Sequence, residues 1–137
     1  MERNKDSNSS IFAKIDFANA FNCVDRQTFL EQCRHHFPGL SRWAEWCYTS
    51  PSQLFFGPNV ITSEVGVQQG DPLGPFLFAL ALQPLLHRLN SGRSDQGLQL
   101  AFSYLDDLTL AGEQRAVAEA FHCLSLIHIS EPTRLAT

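Results

Sequence analysis

The chain lacks most of the features that would identify a function cheaply. It has no basic surplus: 10 Lys and Arg stand against 14 Asp and Glu, for a net charge of −4. Such a chain has no bulk pull on a polyanion, so any nucleic-acid binding must come from local basic residues, bound metal or other parts. It has no paired cysteines. Cys23, Cys33, Cys47 and Cys123 form neither a CxxC pair nor a zinc-ligand spacing, which leaves small buried or half-buried thiols in a reducing compartment. The 5 histidines also fail metal spacings; His35 and His36 suit a helix C-terminus, where the dipole favours positive charge. The N-terminus is polar, without a secretory signal. The longest apolar stretch, Phe76 to Leu82, is far too short to span a bilayer. An intracellular protein, nuclear or cytoplasmic and free of the membrane, is expected. What remains is 137 residues at 44% hydrophobic and 18% charged, enough for one domain with a buried core.

The patterning predicts alternating short strands and helices. Residues 1–10 are polar and expected to be disordered. Ile11 to Phe17 reads as a strand, with Ile11, Ala13 and Ile15 on one face and Phe12, Lys14 and Asp16 on the other. Asp25 suits the cap of a helix reaching about His36, with Pro38-Gly39 as its stop. A second short helix is predicted over Ser41 to Cys47, with Trp43, Trp46 and Cys47 sharing a face. Gln53 to Phe56 and Val60 to Val67 read as strands around the Gly57-Pro58-Asn59 turn. The run Gly70-Asp71-Pro72-Leu73-Gly74-Pro75 is a loop, and Pro75 suits the first turn of a helix to about Leu89. Pro84 is expected to kink that helix. Ser91 to Gly97 reads as a loop, and a last helix is predicted from Ala116 to Cys123.

Tyr104-Leu105-Asp106-Asp107 breaks this regularity. Leu98, Leu100, Phe102 and Tyr104 alternate before it, and Leu108 and Leu110 resume the alternation after it. Period-two patterning across a short interruption predicts a β-hairpin. The connection has no Asn-Gly or Asp-Gly, which tight hairpins prefer, and it sets two like charges side by side. Function is expected where local rules are broken inside a consistent pattern. Paired carboxylates at a hairpin tip suit hard divalent cations. Asp16 is the second anomaly, a carboxylate ending an apolar strand. Alone it reads as a cap or turn residue.

Three segments carry a resemblance. They are Lys14-Ile15-Asp16-Phe17-Ala18-Asn19-Ala20-Phe21-Asn22, then Gly66-Val67-Gln68-Gln69-Gly70-Asp71-Pro72-Leu73-Gly74-Pro75-Phe76-Leu77-Phe78, then Phe102-Ser103-Tyr104-Leu105-Asp106-Asp107. In this order they resemble the three palm motifs of reverse transcriptases, and most closely those of non-long-terminal-repeat retrotransposons. The resemblance covers most of Ile11 to Cys123. It implies an α/β (α+β) palm: an antiparallel sheet with helices on one face, ferredoxin-like in its core and incomplete as a domain. It implies the catalytic core of an RNA-directed DNA polymerase. Two Mg2+ ions, with Mn2+ as the alternative, would be held by Asp16, Asp106, Asp107 and the Phe17 carbonyl, so that Asp16, Asp106 and Asp107 are the catalytic carboxylates. Phe21 would be the steric gate beneath the sugar of the incoming nucleotide, although on pattern alone it is a core residue. Gln69 and Gly70 would lie against the nucleotide and the template base, Gly70 letting the backbone approach closely. RNA template, DNA primer and deoxynucleoside triphosphates are the implied partners.

The resemblance also implies basic fingers before Ile11 and a thumb after the last helix, so this chain alone is expected to be inactive. Leu124-Ser125-Leu126-Ile127-His128-Ile129-Ser130-Glu131-Pro132-Thr133-Arg134 resembles a translated sequencing adapter. Residues 124–137 are therefore expected to be a non-native or disordered tail that adds nothing to the fold. Two alternatives stand: an inactive relic of such an element, and another palm-type phosphoryl-transfer enzyme such as a nucleotide cyclase. The Gln-Gly-Asp-Pro loop and Phe21 argue against the last.

Overall fold

A computed structural model of the chain describes residues 10–91, 97–126 and 132–136. The expected disorder of residues 1–10 and the loop from Ser91 to Gly97 fall almost wholly outside these. The elements run β1 (Ser10–Phe17), α1 (Ala20–Cys23), α2 (Arg26–His36), α3 (Pro38–Tyr48), β2 (Ser52–Phe56), β3 (Asn59–Ser63), α4 (Gly74–Ser91), β4 (Leu98–Tyr104), β5 (Asp107–Glu113), α5 (Gln114–Leu126) and β6 (Pro132–Ala136). This is a mixed α/β chain with antiparallel sheets, as expected. It divides into two compact units: the first is residues 1–17 together with residues 85–137, and the second is residues 18–84. The division cuts α4 after Pro84, which has no N–H to give to the helical ladder. Among the described residues no helix is long and apolar enough to cross a membrane.

The first unit is built on a four-stranded sheet in the order β4-β5-β1-β6. The β1–β5 register pairs Ala13 with Leu110 and Ile15 with Leu108, and all four side chains are buried. α5 packs against β5 and β1, burying Ala116, Val117, Ala120 and Leu124. The opposite face is open. It carries Phe12 and Asp16 from β1 and Phe102 and Tyr104 from β4, all exposed. The strand period of two thus gives the predicted one-sided sheet.

The end of the chain departs from the expectation of an unstructured tail. The boundary expected at Cys123 lies inside α5, which runs on to Leu126 with Leu124 buried. Residues 132–136 pair with β1, Ile15 opposite Leu135 and Phe17 opposite Pro132. Pro132, which has no N–H to donate, opens this edge strand, where proline is tolerated. Residues 127–131 lie outside the described residues.

The second unit pairs α2 with α3 and adds the β2–β3 hairpin. Asp25 caps α2 as predicted, accepting from the Thr28 backbone N–H at 2.8 Å. Pro38 ends one helix and also opens the next at its first turn, so α3 begins three residues before Ser41. The face of Trp43 and Trp46 is exposed; α3 buries Ser41, Ala44 and Tyr48 instead. β3 stops at Ser63 rather than Val67. The carbonyls of Ser63, Val65 and Gly66 accept from Arg26, and Gly66 has φ 77°, so ladder pairing cannot continue there. The single-turn helix α1 had no periodic signal to announce it.

Candidate active site

In the first unit, antiparallel pairing sets Asp16 of β1 directly opposite Asp107 of β5. Both lie on the open face, and Tyr104 of β4 pairs with Asp107 from the other side. Like charges directly opposite are destabilising in a sheet. Lys14 offsets this, its Nζ 3.1 Å from Asp107 Oδ2. That pair is half-exposed and contributes little to stability. Asp106 sits one residue back in the turn, where its carbonyl accepts from the Phe17 backbone N–H at 3.2 Å. This bond ties the end of β1 to the tip of the hairpin. The register therefore gathers Asp16, Phe17, Asp106 and Asp107 at one end of the sheet, across ninety positions of sequence.

The turn holding these residues is strained. Only Leu105 and Asp106 separate the paired residues Tyr104 and Asp107, and Leu105 takes φ 55°. That left-handed conformation costs a residue with a side chain about 1–2 kcal/mol. Ser103 Oγ donates to the Leu105 carbonyl at 2.7 Å and helps to hold it. Strain of this kind persists only where the surroundings impose it, and it clusters at functional sites. The carboxylates and the Phe17 carbonyl are hard oxygen donors of the kind that Mg2+ takes. Among the described residues, no three His, Cys, Asp or Glu side chains already stand together as a metal-holding group; Asp107 faces Lys14 instead. The donor chemistry fits a divalent cation, and the backbone brings the donors to one place.

In the second unit, Phe21 lies in α1, half-buried, with its ring stacked on Phe78 at 4.6 Å and 18°. Its carbonyl accepts from the Val67 N–H at 2.8 Å, and the Gly66 N–H donates to the Val24 carbonyl at 2.9 Å. Gly66 must be glycine here: a Cβ would lie 2.4 Å from the Asn22 carbonyl oxygen. These two bonds bring the start of the Gln-Gly loop beside Phe21. Further along, the Gln68 N–H donates to the Tyr48 hydroxyl at 3.2 Å. The Tyr48 hydroxyl in turn donates to the Asp71 carboxylate, whose other oxygen accepts from the Leu73 N–H at 2.9 Å. Gln69 and Gly70 are exposed, Gly70 with φ 88° and open space around it.

Arg26 is the foundation of this loop. Its guanidinium is buried and donates to the carbonyls of Gly66, Ser63 and Val65 and to the Ser63 hydroxyl, at 2.9–3.2 Å. It also lies over the Tyr48 ring, 5.3 Å from the centroid. Burial lowers the Arg26 pKa, while burial and the bond to Asp71 push the Tyr48 hydroxyl up to about 12. Tyr48 is thus a proton donor at neutral pH. Sequence reasoning overlooked Arg26, Tyr48, Asp71 and Lys14. A charged residue near a helix start and a tyrosine at a helix end carry no periodic signal of burial.

The candidate residues thus fall into two groups: Asp16, Phe17, Asp106 and Asp107 in one unit, and Phe21, Gln69 and Gly70 in the other. A family model described as "Reverse transcriptase (RNA-dependent DNA polymerase)" matches residues 1–129. No curated protein matches the chain.

Proposed function

The chain belongs to the reverse transcriptase family, and we propose that it is the catalytic palm of an RNA-directed DNA polymerase of retrotransposon type. The observation that carries this reading is the pairing of Asp16 with Asp107 at a strained hairpin whose Asp106 is bonded to Phe17. Asp16, Asp106, Asp107 and the Phe17 carbonyl are the groups that hold Mg2+, or Mn2+ in its place. When bound, a pair of such ions stabilises the attacking and leaving oxygens of an in-line displacement at phosphorus. Phe21, braced by Phe78, presents a flat ring that excludes a 2′-hydroxyl. Gln69 offers its amide to the incoming nucleotide, and Gly70 lets the backbone approach it. RNA template, DNA primer and deoxynucleoside triphosphates are the substrates and partners.

The surplus of acidic residues, 14 against 10 basic, also supports a second part of the proposal. Grip on a duplex comes largely from Lys and Arg contacts to phosphate, so this chain by itself extends primers poorly. The test is primer extension on an RNA template, with the chain alone and within a longer polymerase that carries it. The longer protein should extend, and Asp16→Asn or Asp106→Asn should lower its rate by at least about a thousandfold, the worth of several kcal/mol of metal stabilisation. Full activity in either variant would refute the assignment.

A further inference from the structure

We propose that Tyr48, seated against Arg26, is a positioning residue that fixes the Gln68–Asp71 loop relative to Phe21 and so sets the preference for deoxy over ribo sugars; this rests on the nucleotide reading of Phe21 and Gln69. The case begins with Arg26, the one buried charged side chain among the described residues. It has no carboxylate within ion-pair distance among those residues. Glu64 attracts it without forming an ion pair, and its hydrogen bonds all go to backbone carbonyls and one hydroxyl from a single four-residue stretch, Ser63 to Gly66. Burying a guanidinium that way is costly, and an apolar side chain would serve packing alone as well or better. What an apolar side chain could not do is pin that backbone. The planar fork of arginine can, through several bonds at once.

Tyr48 completes the frame. Its ring has Arg26 on one side and packs edge-on against Phe29 at 5.3 Å. Its hydroxyl reaches both ends of the next stretch, accepting from the Gln68 N–H and donating to Asp71. The lead-in is tied to the carbonyls of Val24 and Phe21. Gln68 and Asp71, both bonded in this way, flank Gln69 and Gly70, and those two are exposed. A rigid frame around an open tip suits a segment that must meet a ligand without moving. Because the same frame includes the Phe21 carbonyl, loosening it changes the distance between ring and loop, and with it the room for a 2′-hydroxyl.

Tyr48→Phe removes the hydroxyl but keeps the ring against Phe29 and Arg26. In the 137-residue chain, amide exchange at Gln68 should rise about fivefold, the size of one lost hydrogen bond. Exchange at Gly66 and Val67 should be unchanged. Equilibrium binding of a deoxynucleoside triphosphate and its ribo counterpart, each with Mg2+, should show the deoxy preference falling at least about threefold in the variant. Arg26→Lys, which keeps the charge but not the fork, should loosen Gly66 as well. Unchanged exchange at Gln68 would overturn the brace itself. A loosened loop with unchanged sugar preference would overturn its role in discrimination. A loosened loop in a chain whose wild type binds neither triphosphate would overturn the nucleotide reading and the discrimination role with it.

Discussion

Among the described residues, the β2–β3 and β4–β5 hairpins, of similar size, obey opposite rules. The β2–β3 hairpin turns through Gly57-Pro58, with φ 59° supplied by a glycine. Its strand residues Leu54, Phe55, Phe56, Val60 and Ile61 are all exposed. The β4–β5 hairpin turns through Leu105-Asp106, where a leucine takes φ 55°. Its β5 strand is central in a sheet and buries Leu108, Thr109 and Leu110. The hairpin with favourable turn chemistry thus has little burial behind it. The hairpin with unfavourable chemistry is held by pairing on both sides of β5, by Ser103 and by the bond from Phe17 to Asp106. Surrounding structure can impose a strained turn. Here the strain coincides with the carboxylates, and that coincidence supports the proposal that they form the site.

Three sets of changes would break or sharpen this contrast. The largest effect is expected from truncating the β4–β5 core. Leu110→Ala should cost about 2–5 kcal/mol by denaturant unfolding, whereas Ile61→Ala in β3 should stay within about 0.5 kcal/mol. Equal losses would mean that the β2–β3 hairpin is buried in solution after all. The turns should then respond with opposite signs. Gly57→Ala has open space for its Cβ, so its cost is conformational, about 1 kcal/mol. Leu105→Gly should instead gain about 0.5–1 kcal/mol, the relieved strain less the added freedom of glycine in the unfolded chain. A clear loss of stability in Leu105→Gly would show that the turn is not strained. The smallest effect belongs to β6. Removing residues 132–137 takes away one edge strand and should shift stability by less than about 1 kcal/mol, since terminal segments open at low cost. A loss of several kcal/mol would make β6 an integral part of the sheet.

Much of the fold was legible because its signals are local. Alternation gave β1, β4 and β5 and the face on which Asp16 lies, and the Asp25 cap and Pro75 marked two helix starts. The carboxylate group was legible for a different reason: Asp16 and Asp106-Asp107 each violate the pattern around them, and the family motifs join them. Pairing partners that ordinary rules would not place together were harder to see. The stop of β3 at Ser63 depends on an arginine thirty-seven residues earlier, a relation that no window along the chain contains. Tyr48 and Asp71 escaped notice likewise, because their roles are hydrogen bonds to backbone at long range. The strand at residues 132–136 was read as tail from its likeness to an adapter, yet any extended segment meets little resistance at an open sheet edge.

The account stands most directly on divalent-cation binding at the Asp16–Asp107 end of the sheet. Titrating the chain with Mn2+ while following backbone amide signals tests it. Paramagnetic broadening should begin at Asp16, Phe17, Asp106 and Asp107 and should be lost in Asp16→Asn and Asp106→Asn. Broadening that starts elsewhere, or that persists in both variants, would contradict it.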